Sequence, residues 1–178
     1  MAKKEDYIKQ NREFLAQMKG QAGVEEISLG VLRKVIKSGK SNVRPRAGNV
    51  VTVHYKGTLI NGKEFDNSYK RKCPEAFRVR DLIVGFQVAL TQMTIGDHWI
   101  VYIPCEQGYG MRATGNIPGG STLIFEIEFK YKSFPTKKRR FAAKIFICSF
   151  FGASYSVAPG SSFSMDCTSV SPFSFPTR

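Results

Sequence analysis

The stretch that decides the expected fold is Val51–Ser68, VTVHYKGTLINGKEFDNS. It begins with an alternation in which Val51, Val53 and Tyr55 point to one side and polar residues to the other, which is typical of a half-buried strand. Asn61-Gly62 follows, and this dipeptide favours a tight hairpin turn because it supplies positive φ. The stretch therefore predicts two antiparallel strands joined by a hairpin.

An aromatic residue and a carboxylate stand side by side just past this turn, at Phe65 and Asp66. Together with Tyr55 they are expected to share one concave surface. Each residue also has a simpler interpretation, since inward aromatics on strands are usually core residues and Asp66 alone fits a turn cap. His54, on the strand face opposite Tyr55, is predicted to be a surface histidine.

The N-terminal segment, residues 4–19, has the pattern of an amphipathic helix. Its apolar residues recur at helical spacing and form one stripe, and Gly20 and Gly23 favour its end; the stripe consists of Tyr7, Phe14, Leu15 and Met18. Two interpretations stay open, a helix packed onto its own domain and a dimerisation arm. The short length favours the first.

Five or six strands and one helix are predicted between residues 30 and 129. Phe86, Leu90 and Met93 share one face of the helix, and Leu123, Phe125, Ile127 and Phe129 face inward from the last strand. The strands are expected at 32–36, 50–57, 77–79, 98–103 and 122–129. Because they do not alternate regularly with helices, we expect an α+β fold, an antiparallel sheet with one helix across its concave face.

The positive charge is concentrated at the C-terminal end. Residues 1–129 carry 19 Lys and Arg against 13 Asp and Glu, whereas residues 130–178 carry 8 against 1. The end segment contains the basic cluster Lys137–Arg140, an interrupted apolar run at 141–151 and then Ser, Pro and Phe without periodicity. Its composition fits a disordered tail of the native chain, or a segment from an altered reading frame.

Cysteine usage and the first residues bear on the compartment. Cys73, Cys105, Cys148 and Cys167 show no C-x-x-C spacing, so free thiols in a reducing compartment are favoured over disulfides or a metal site. The start of the chain lacks the apolar region of a signal peptide, and no apolar run approaches the roughly 20 residues of a membrane span. A cytoplasmic protein without a membrane partner is the expectation.

The sequence contains no nucleophile elbow, phosphate-binding Gly loop or metal-ligand spacing. Aromatic and branched residues recur instead at strand ends and loop mouths, where they would line an apolar cup. The set consists of Tyr55, Phe65, Phe77, Ile83, Phe86, Tyr109, Ile117 and Phe125.

Four blocks in this order resemble the FKBP-type peptidyl-prolyl cis-trans isomerases. They are VTVHYKGTLINGKEFDNS, DLIVGFQVALTQMTIGD, IPCEQGYG and IPGGSTLIFEIE. The lead-in helix and GVLRKVIKSG resemble the bacterial MIP-like branch, and the likeness covers about residues 7–129. It implies an antiparallel β half-barrel wrapped around one short helix, with an N-terminal helix before it. The expected organisation is a helical lead-in at 1–29, an isomerase domain at 30–129 and a tail at 130–178.

The resemblance also implies site residues. Tyr55, Asp66 and Tyr109 are expected to act on the substrate. The expected substrate-binding residues are Phe65, Arg71, Leu82, Ile83, Phe86, Ile117 and Phe125. Two departures stand out, since Phe86 occupies the place of the usual tryptophan floor and Glu75 or Ala76 replaces a wall aromatic. That side of the pocket is therefore expected to be more open.

The favoured function is catalysis of X–Pro isomerisation in unfolded or flexible polypeptides, without a cofactor or metal. Macrolide inhibitors that bind the same pocket are implied as well. Phe86 and the altered wall motivate an alternative, a polypeptide-binding chaperone with weak or no isomerase activity. The basic tail alone motivates a third, a nucleic-acid binder, although no specific nucleic-acid site is expected.

Overall fold

The computed structural model describes residues 2–133. The predicted tail therefore lies outside the described residues, apart from the few positions that complete the last strand. Cys148, Cys167 and the basic cluster are outside them too. The nucleic-acid-binding alternative rests on that tail alone and is therefore not tested by the structure. Within the described part lie Cys73 and Cys105, and neither forms a disulfide there.

The first element is helix α1, Ala2–Lys19, which confirms the helix predicted over residues 4–19. It packs onto its own domain, as favoured from its length. The Tyr7 hydroxyl lies 2.9 Å from Ser121 Oγ, and the Thr122 N–H donates to Asn11 Oδ1 over 2.8 Å. Asn11 is buried, and the sequence pattern did not distinguish it from an exposed polar residue. None of the helices within 2–133 has the length and apolarity that a membrane span requires.

Seven strands form one antiparallel sheet, which confirms the predicted α+β class. The strands are β1 Val24–Ser28, β2 Val31–Lys37, β3 Val50–Leu59, β4 Glu64–Asn67, β5 Glu75–Arg78, β6 His98–Ile103 and β7 Leu123–Ser133. Their order in the sheet is β1-β2-β6-β7-β3-β4, and β5 pairs with β3. The second helix, α2, covers Val84–Gln92, and 3₁₀ turns cover Val79–Asp81 and Cys105–Gln107.

Two details differ from the expectation. Strand β1 was not predicted because Glu25 and Glu26 interrupt its apolar residues, and only two of its five positions are even partly buried. The strand expected at 77–79 begins at Glu75 instead, and Val79 already belongs to the 3₁₀ turn that leads towards α2.

The core lies between the sheet and α2. Strand β3 alternates between buried and half-buried residues along its whole length, and the inward residues of β7 from Leu123 to Phe129 are fully buried. Phe86, Leu90 and Met93 of the α2 segment are also buried, as the helical spacing predicted. Burying one such side chain contributes about 1.5–3 kcal/mol, so these two strands and one helix hold the fold together.

The hairpin between β3 and β4 is present where Asn61-Gly62 predicts it. The Gly62 N–H donates to the Leu59 carbonyl over 2.9 Å, and the Leu59 N–H donates to the Lys63 carbonyl over the same distance. Within the described chain Gly62 has a positive φ of 78°, whereas Asn61 does not. A turn residue with negative φ followed by one glycine in the left-handed region is typical of a hairpin closed by a glycine bulge.

Candidate active site

Aromatic rings form the floor of the candidate site. Phe86, from the first turns of α2, stands nearly perpendicular to Phe125 of β7 with ring centroids 5.0 Å apart, and to Tyr55 of β3 at 6.2 Å. Phe77 of β5 packs edge-on against Tyr55 at 5.7 Å. Edge-to-face pairs at these distances are favourable beyond the area they bury. Phe86 thus provides a tightly held apolar floor, with no polar atom of its own.

A β-bulge brings both Phe65 and Asp66 to the concave side. Strand register pairs Gly57 with Asp66 but Thr58 with Glu64, so Phe65 is the extra residue on β4. In a regular strand these neighbours would point to opposite faces, whereas a bulge re-aims one of them. Phe65 then packs edge-on against Phe125 at 5.5 Å, while Asp66 contacts Tyr55.

Gly57 makes room for this arrangement. A Cβ placed on Gly57 would lie 2.5 Å from Cε2 of Phe65 and 3.0 Å from Cε1 of Phe125. Only a residue without a side chain therefore lets the Phe65 ring cross strand β3. The sequence carried a signal for this, since an isolated glycine inside a strand pattern often marks a bulge or a close approach.

A polar cluster stands beside the aromatic floor. The Tyr55 hydroxyl donates to Asp66 Oδ2 over 2.6 Å and accepts from Arg71 Nη2 over 3.1 Å. Arg71 Nη1 in turn lies 2.6 Å from Asp66 Oδ1. Burial and then the hydrogen bond to Asp66 raise the pKa of Tyr55 far above its ordinary value, so the hydroxyl stays protonated. The association of Arg71 with the pocket aspartate, implied by resemblance, is present in this structure.

Glu75 departs from the sequence expectation. The replacement of a wall aromatic was expected to leave this side more open, but the Glu75 side chain fills it and is only 16% exposed. Its carboxylate forms an ion pair with Arg71, and Glu75 Oε2 lies 3.3 Å from the Tyr55 hydroxyl. Ala76, the other candidate for this position, is exposed. The wall is therefore acidic, because Glu75 completes the polar cluster.

Ser68 holds the backbone of Tyr55 in place and was not identified from the sequence. It is fully buried, and its Oγ accepts from the Tyr55 N–H over 2.8 Å and donates to the Tyr55 carbonyl over 3.1 Å. The same oxygen lies 3.0 Å from His54 Nδ1. His54 stacks on Tyr69 on the outer face of the sheet, half-buried rather than fully exposed. A buried serine within a polar loop gives no distinctive sequence signal.

The entry to α2 supplies the next part of the wall. Leu82 is buried in the core, and Ile83 caps the helix from an extended conformation. The Ile83 carbonyl accepts from the N–H groups of Phe86 and Gln87, over 3.0 and 3.1 Å. Backbone N–H groups at a helix start are not used by the helix itself, and that of Ile83 is among them. Its predicted role, binding a ligand through the backbone, stays a prediction.

Tyr109 and Ile117 come from the loop between β6 and β7. Ile117 is 4% exposed and belongs to the core cluster, against which the half-buried Tyr109 also packs. Burial, and then the charge of Asp66, raise the pKa of Tyr109 well above its ordinary value. The tyrosine therefore keeps its proton at neutral pH. The roles of these residues remain predictions.

Two further features of residues 2–133 concern metal and ligand binding: the arrangement of metal-binding side chains, and a cavity other than the site. Among residues 2–133 no three His, Cys, Asp or Glu residues are arranged to hold a metal ion. A groove of about 460 Å³ lies between α1 and the loop that precedes β7, and it shares no lining residue with the predicted site. Its lining consists of Lys4, Tyr7, Met111, Ala113, Pro118 and Gly119.

Known proteins resemble this chain in sequence and in structure. A relative from Buchnera aphidicola, FKBP-type peptidyl-prolyl cis-trans isomerase FkpA, is 39% identical over 70% of this chain and 51% of its own. Peptidyl-prolyl cis-trans isomerase Mip from Coxiella burnetii is 40% identical over 66% of this chain and 51% of its own. The chain thus spans about half the length of the curated relatives it matches.

Solved structures agree with the fold. A peptidyl-prolyl cis-trans isomerase from Pseudomonas syringae superposes with a TM-score of 0.68 at 36% identity, covering 73% of this chain and 96% of its own. FkpA from Escherichia coli gives a TM-score of 0.70 at 36% identity over 74% of this chain and 63% of its own. The model of the family FKBP-type peptidyl-prolyl cis-trans isomerase matches residues 41–130, which include every predicted site residue. The chain therefore belongs to the FKBP-type peptidyl-prolyl cis-trans isomerases, as the four sequence blocks predicted.

Proposed function

We propose that this protein is a peptidyl-prolyl cis-trans isomerase that binds X–Pro segments in the site above Phe86. The observation that carries the proposal is the Tyr55–Asp66–Arg71 cluster beside an aromatic floor, inside the region that the family model matches. The names of the relatives support isomerase activity and do not favour a chaperone without it. Because the chain spans only about half of the length of these relatives, its activity calls for a direct assay.

The reaction needs no bond to form or break. Rotation about an X–Pro amide is slow because the twisted state loses amide resonance, and the barrier is about 18–20 kcal/mol. The planar amide is more polar than the twisted one, so an apolar floor such as Phe86 disfavours the ground state relative to the transition state. Tight aromatic packing holds that floor in position.

Two polar groups complete the proposed mechanism. The Tyr109 hydroxyl, protonated at neutral pH, donates a hydrogen bond to a carbonyl of the bound peptide and fixes its orientation. The Asp66 carboxylate interacts electrostatically with the twisted amide, and its contacts with Tyr55 and Arg71 hold those two side chains in position. No residue acts as a nucleophile or as an acid–base catalyst, which agrees with tyrosine pKa values raised far from neutrality.

A peptide isomerisation assay tests the proposal. The wild-type protein is expected to accelerate cis–trans conversion of a short X–Pro peptide, and Asp66→Ala and Tyr109→Phe are each expected to reduce kcat/KM by about ten-fold or more, the effect of losing an oriented hydrogen bond or charge worth 1.4 kcal/mol. Tyr69→Phe is the matched control, because that ring stacks on His54 on the outer face. A wild-type rate equal to the uncatalysed rate would refute the proposal.

The substrates and inhibitors follow from the same site. We propose that the protein acts on exposed X–Pro bonds of unfolded or flexible polypeptides and so assists their folding. Macrolides are proposed to compete for the aromatic floor, with weaker affinity than at a tryptophan floor because Phe86 offers less area and no N–H donor. Inhibition constants of wild-type protein and Phe86→Trp, measured side by side, check this: equal constants would contradict it.

We propose a cytoplasmic location, since the cytoplasm keeps thiols reduced and neither Cys73 nor Cys105 is part of a disulfide in the described part of the chain. Cell fractionation with an antibody against the folded domain tests it. Recovery with exported proteins would overturn this part of the proposal without touching the activity.

A further inference from the structure

Glu75 faces the candidate site from strand β5. It pairs with Val53 of β3, and paired residues of antiparallel strands point to the same face. Val53 is fully buried on the concave side, so Glu75 also points there. Its ion pair with Arg71 and its distance of 3.3 Å from the Tyr55 hydroxyl place its carboxylate at the polar cluster.

The cluster carries an uncompensated negative charge. Asp66 and Glu75 are two carboxylates, and within residues 2–133 Arg71 is the one guanidinium that both contact, through different terminal nitrogens. The nearby Lys70 is held in an ion pair of 2.6 Å by Glu64. The side chains of Asp66 and Glu75 are 19% and 16% exposed, so water screens them less than surface charges.

The carboxylate of Glu75 also retains capacity to accept hydrogen bonds. A carboxylate has about four lone-pair positions. At Glu75, the contacts with Arg71 and Tyr55 occupy only some of these positions. A cationic group is the partner that satisfies both the free lone pairs and the excess charge. An acidic group brought to the same place meets two like charges, and Arg71 is already paired with both of them.

We propose that Glu75 determines substrate specificity: the site selects X–Pro segments with a lysine or arginine next to the proline and discriminates against aspartate or glutamate there. The inference rests on the proposed isomerase function and deepens it. The cationic end of the substrate side chain binds the Glu75 carboxylate while the proline ring contacts the aromatic floor. Glu75 is thus a specificity residue, in addition to any role in positioning Arg71.

A peptide series tests this proposal. Peptides carry Lys, norleucine or Glu immediately before the proline in one set and immediately after it in another. At low ionic strength the wild-type kcat/KM is expected to be about five- to fifteen-fold higher for the Lys peptide than for the Glu peptide in at least one set. This is the effect expected when the cluster's one net negative charge lies several ångströms from the charged end of the substrate side chain. The ratio is expected to fall towards one as salt rises to about 0.5 M, because screening shortens the reach of the charge.

Variants separate charge from structure. Glu75→Gln keeps the shape and an acceptor oxygen but removes the charge, so it is expected to bring the Lys-to-Glu ratio close to one, whatever its effect on the rate with the norleucine peptide. Glu64→Gln is the matched control, because that carboxylate is engaged by Lys70 outside the site, and it is expected to keep the wild-type ratio. A purely structural Glu75 would lower all three peptides in proportion and leave the ratio unchanged, which would overturn the proposal.

The norleucine peptide tests the isomerase activity separately from the charge preference. If wild-type protein does not accelerate its isomerisation, the proposed function fails, and calorimetric titration of the Lys and Glu peptides then decides whether the charge preference exists in binding. A wild-type ratio near one, or one that does not respond to salt, refutes the specificity proposal even if Glu75→Gln does not fold.

Discussion

Replacing Gly57 with alanine tests how the wall of the site is built. The new Cβ would lie 2.5 Å from the Phe65 ring and 3.0 Å from Phe125, well inside van der Waals contact. Inserting one methyl group into such a packed place costs about 1–3 kcal/mol. For a folded part of about 130 residues, each kcal/mol of lost stability lowers the Tm by roughly 3–6 °C, so the Tm of Gly57→Ala is expected to fall by about 3–18 °C.

The activity is expected to change through the same contact. Because Phe65 must move away from Phe125, the wall is displaced, and we expect a higher KM for X–Pro peptides with a smaller effect on kcat. Thermal unfolding followed by circular dichroism gives the Tm, and the isomerisation assay gives both constants. Gly48→Ala is the control, since its Cβ would meet nothing within 4 Å and its φ lies outside the left-handed region.

A double-mutant cycle isolates the clash. Phe65→Leu removes the part of the ring that the new methyl group would strike, so Gly57→Ala is expected to cost less in that background than in wild type. A coupling of about 0.5–3 kcal/mol is typical of residues in contact. The reasoning fails if Gly57→Ala leaves the Tm unchanged, or if its cost is the same with and without the Phe65 ring.

Three further predictions concern the parts around the site. Asn11→Leu leaves the buried Thr122 N–H without its acceptor, so urea unfolding is expected to show a loss of about 1–3 kcal/mol, whereas Glu13→Ala on the exposed side of α1 should change stability by less than about 0.5 kcal/mol. Burial holds the pKa of His54 below its ordinary value of 6.5. Its contribution to stability is therefore complete above pH 6.5 and is lost as the pH falls through the folded-state pKa. His54→Gln should flatten the dependence of Tm on pH below about 6.5, and an unchanged dependence would contradict this. Trp99, the one tryptophan, is buried outside the aromatic floor, so its emission should shift on unfolding but stay within a few nanometres on adding a proline peptide; a large shift on binding would place the ligand elsewhere.

Strand alternation and helical spacing were sufficient to predict the central elements. Strand β3 and α2 follow from them because each buries one regular face, with Tyr55 and Phe86 on it. Strand β1 was missed because an edge strand with two adjacent glutamates buries too little to leave a pattern. Burial of Asn11 was missed for a related reason: its partner Thr122 is distant in sequence, and a polar residue in a helix usually faces water.

The grouping of the site residues was predicted better than their detailed contacts. The resemblance implied that Asp66 and Arg71 belong together, and they are in contact. It did not reveal that Phe65 is a bulge residue, because register depends on which strand residues pair and not on the local sequence. Nor did it reveal that Glu75 turns inward to Arg71, because a charged residue on a short strand is equally compatible with either face. Both features depend on tertiary packing.

Exchange NMR spectroscopy tests most directly whether the site above Phe86 isomerises X–Pro bonds. A short proline peptide is observed alone and with a sub-stoichiometric amount of the protein, so that the protein must turn over to be detected. We expect exchange cross-peaks between the cis and trans resonances that appear only with the protein and weaken strongly with Asp66→Ala. If exchange in the presence of folded wild-type protein still takes the tens to hundreds of seconds of the uncatalysed reaction, the proposed isomerase activity is contradicted.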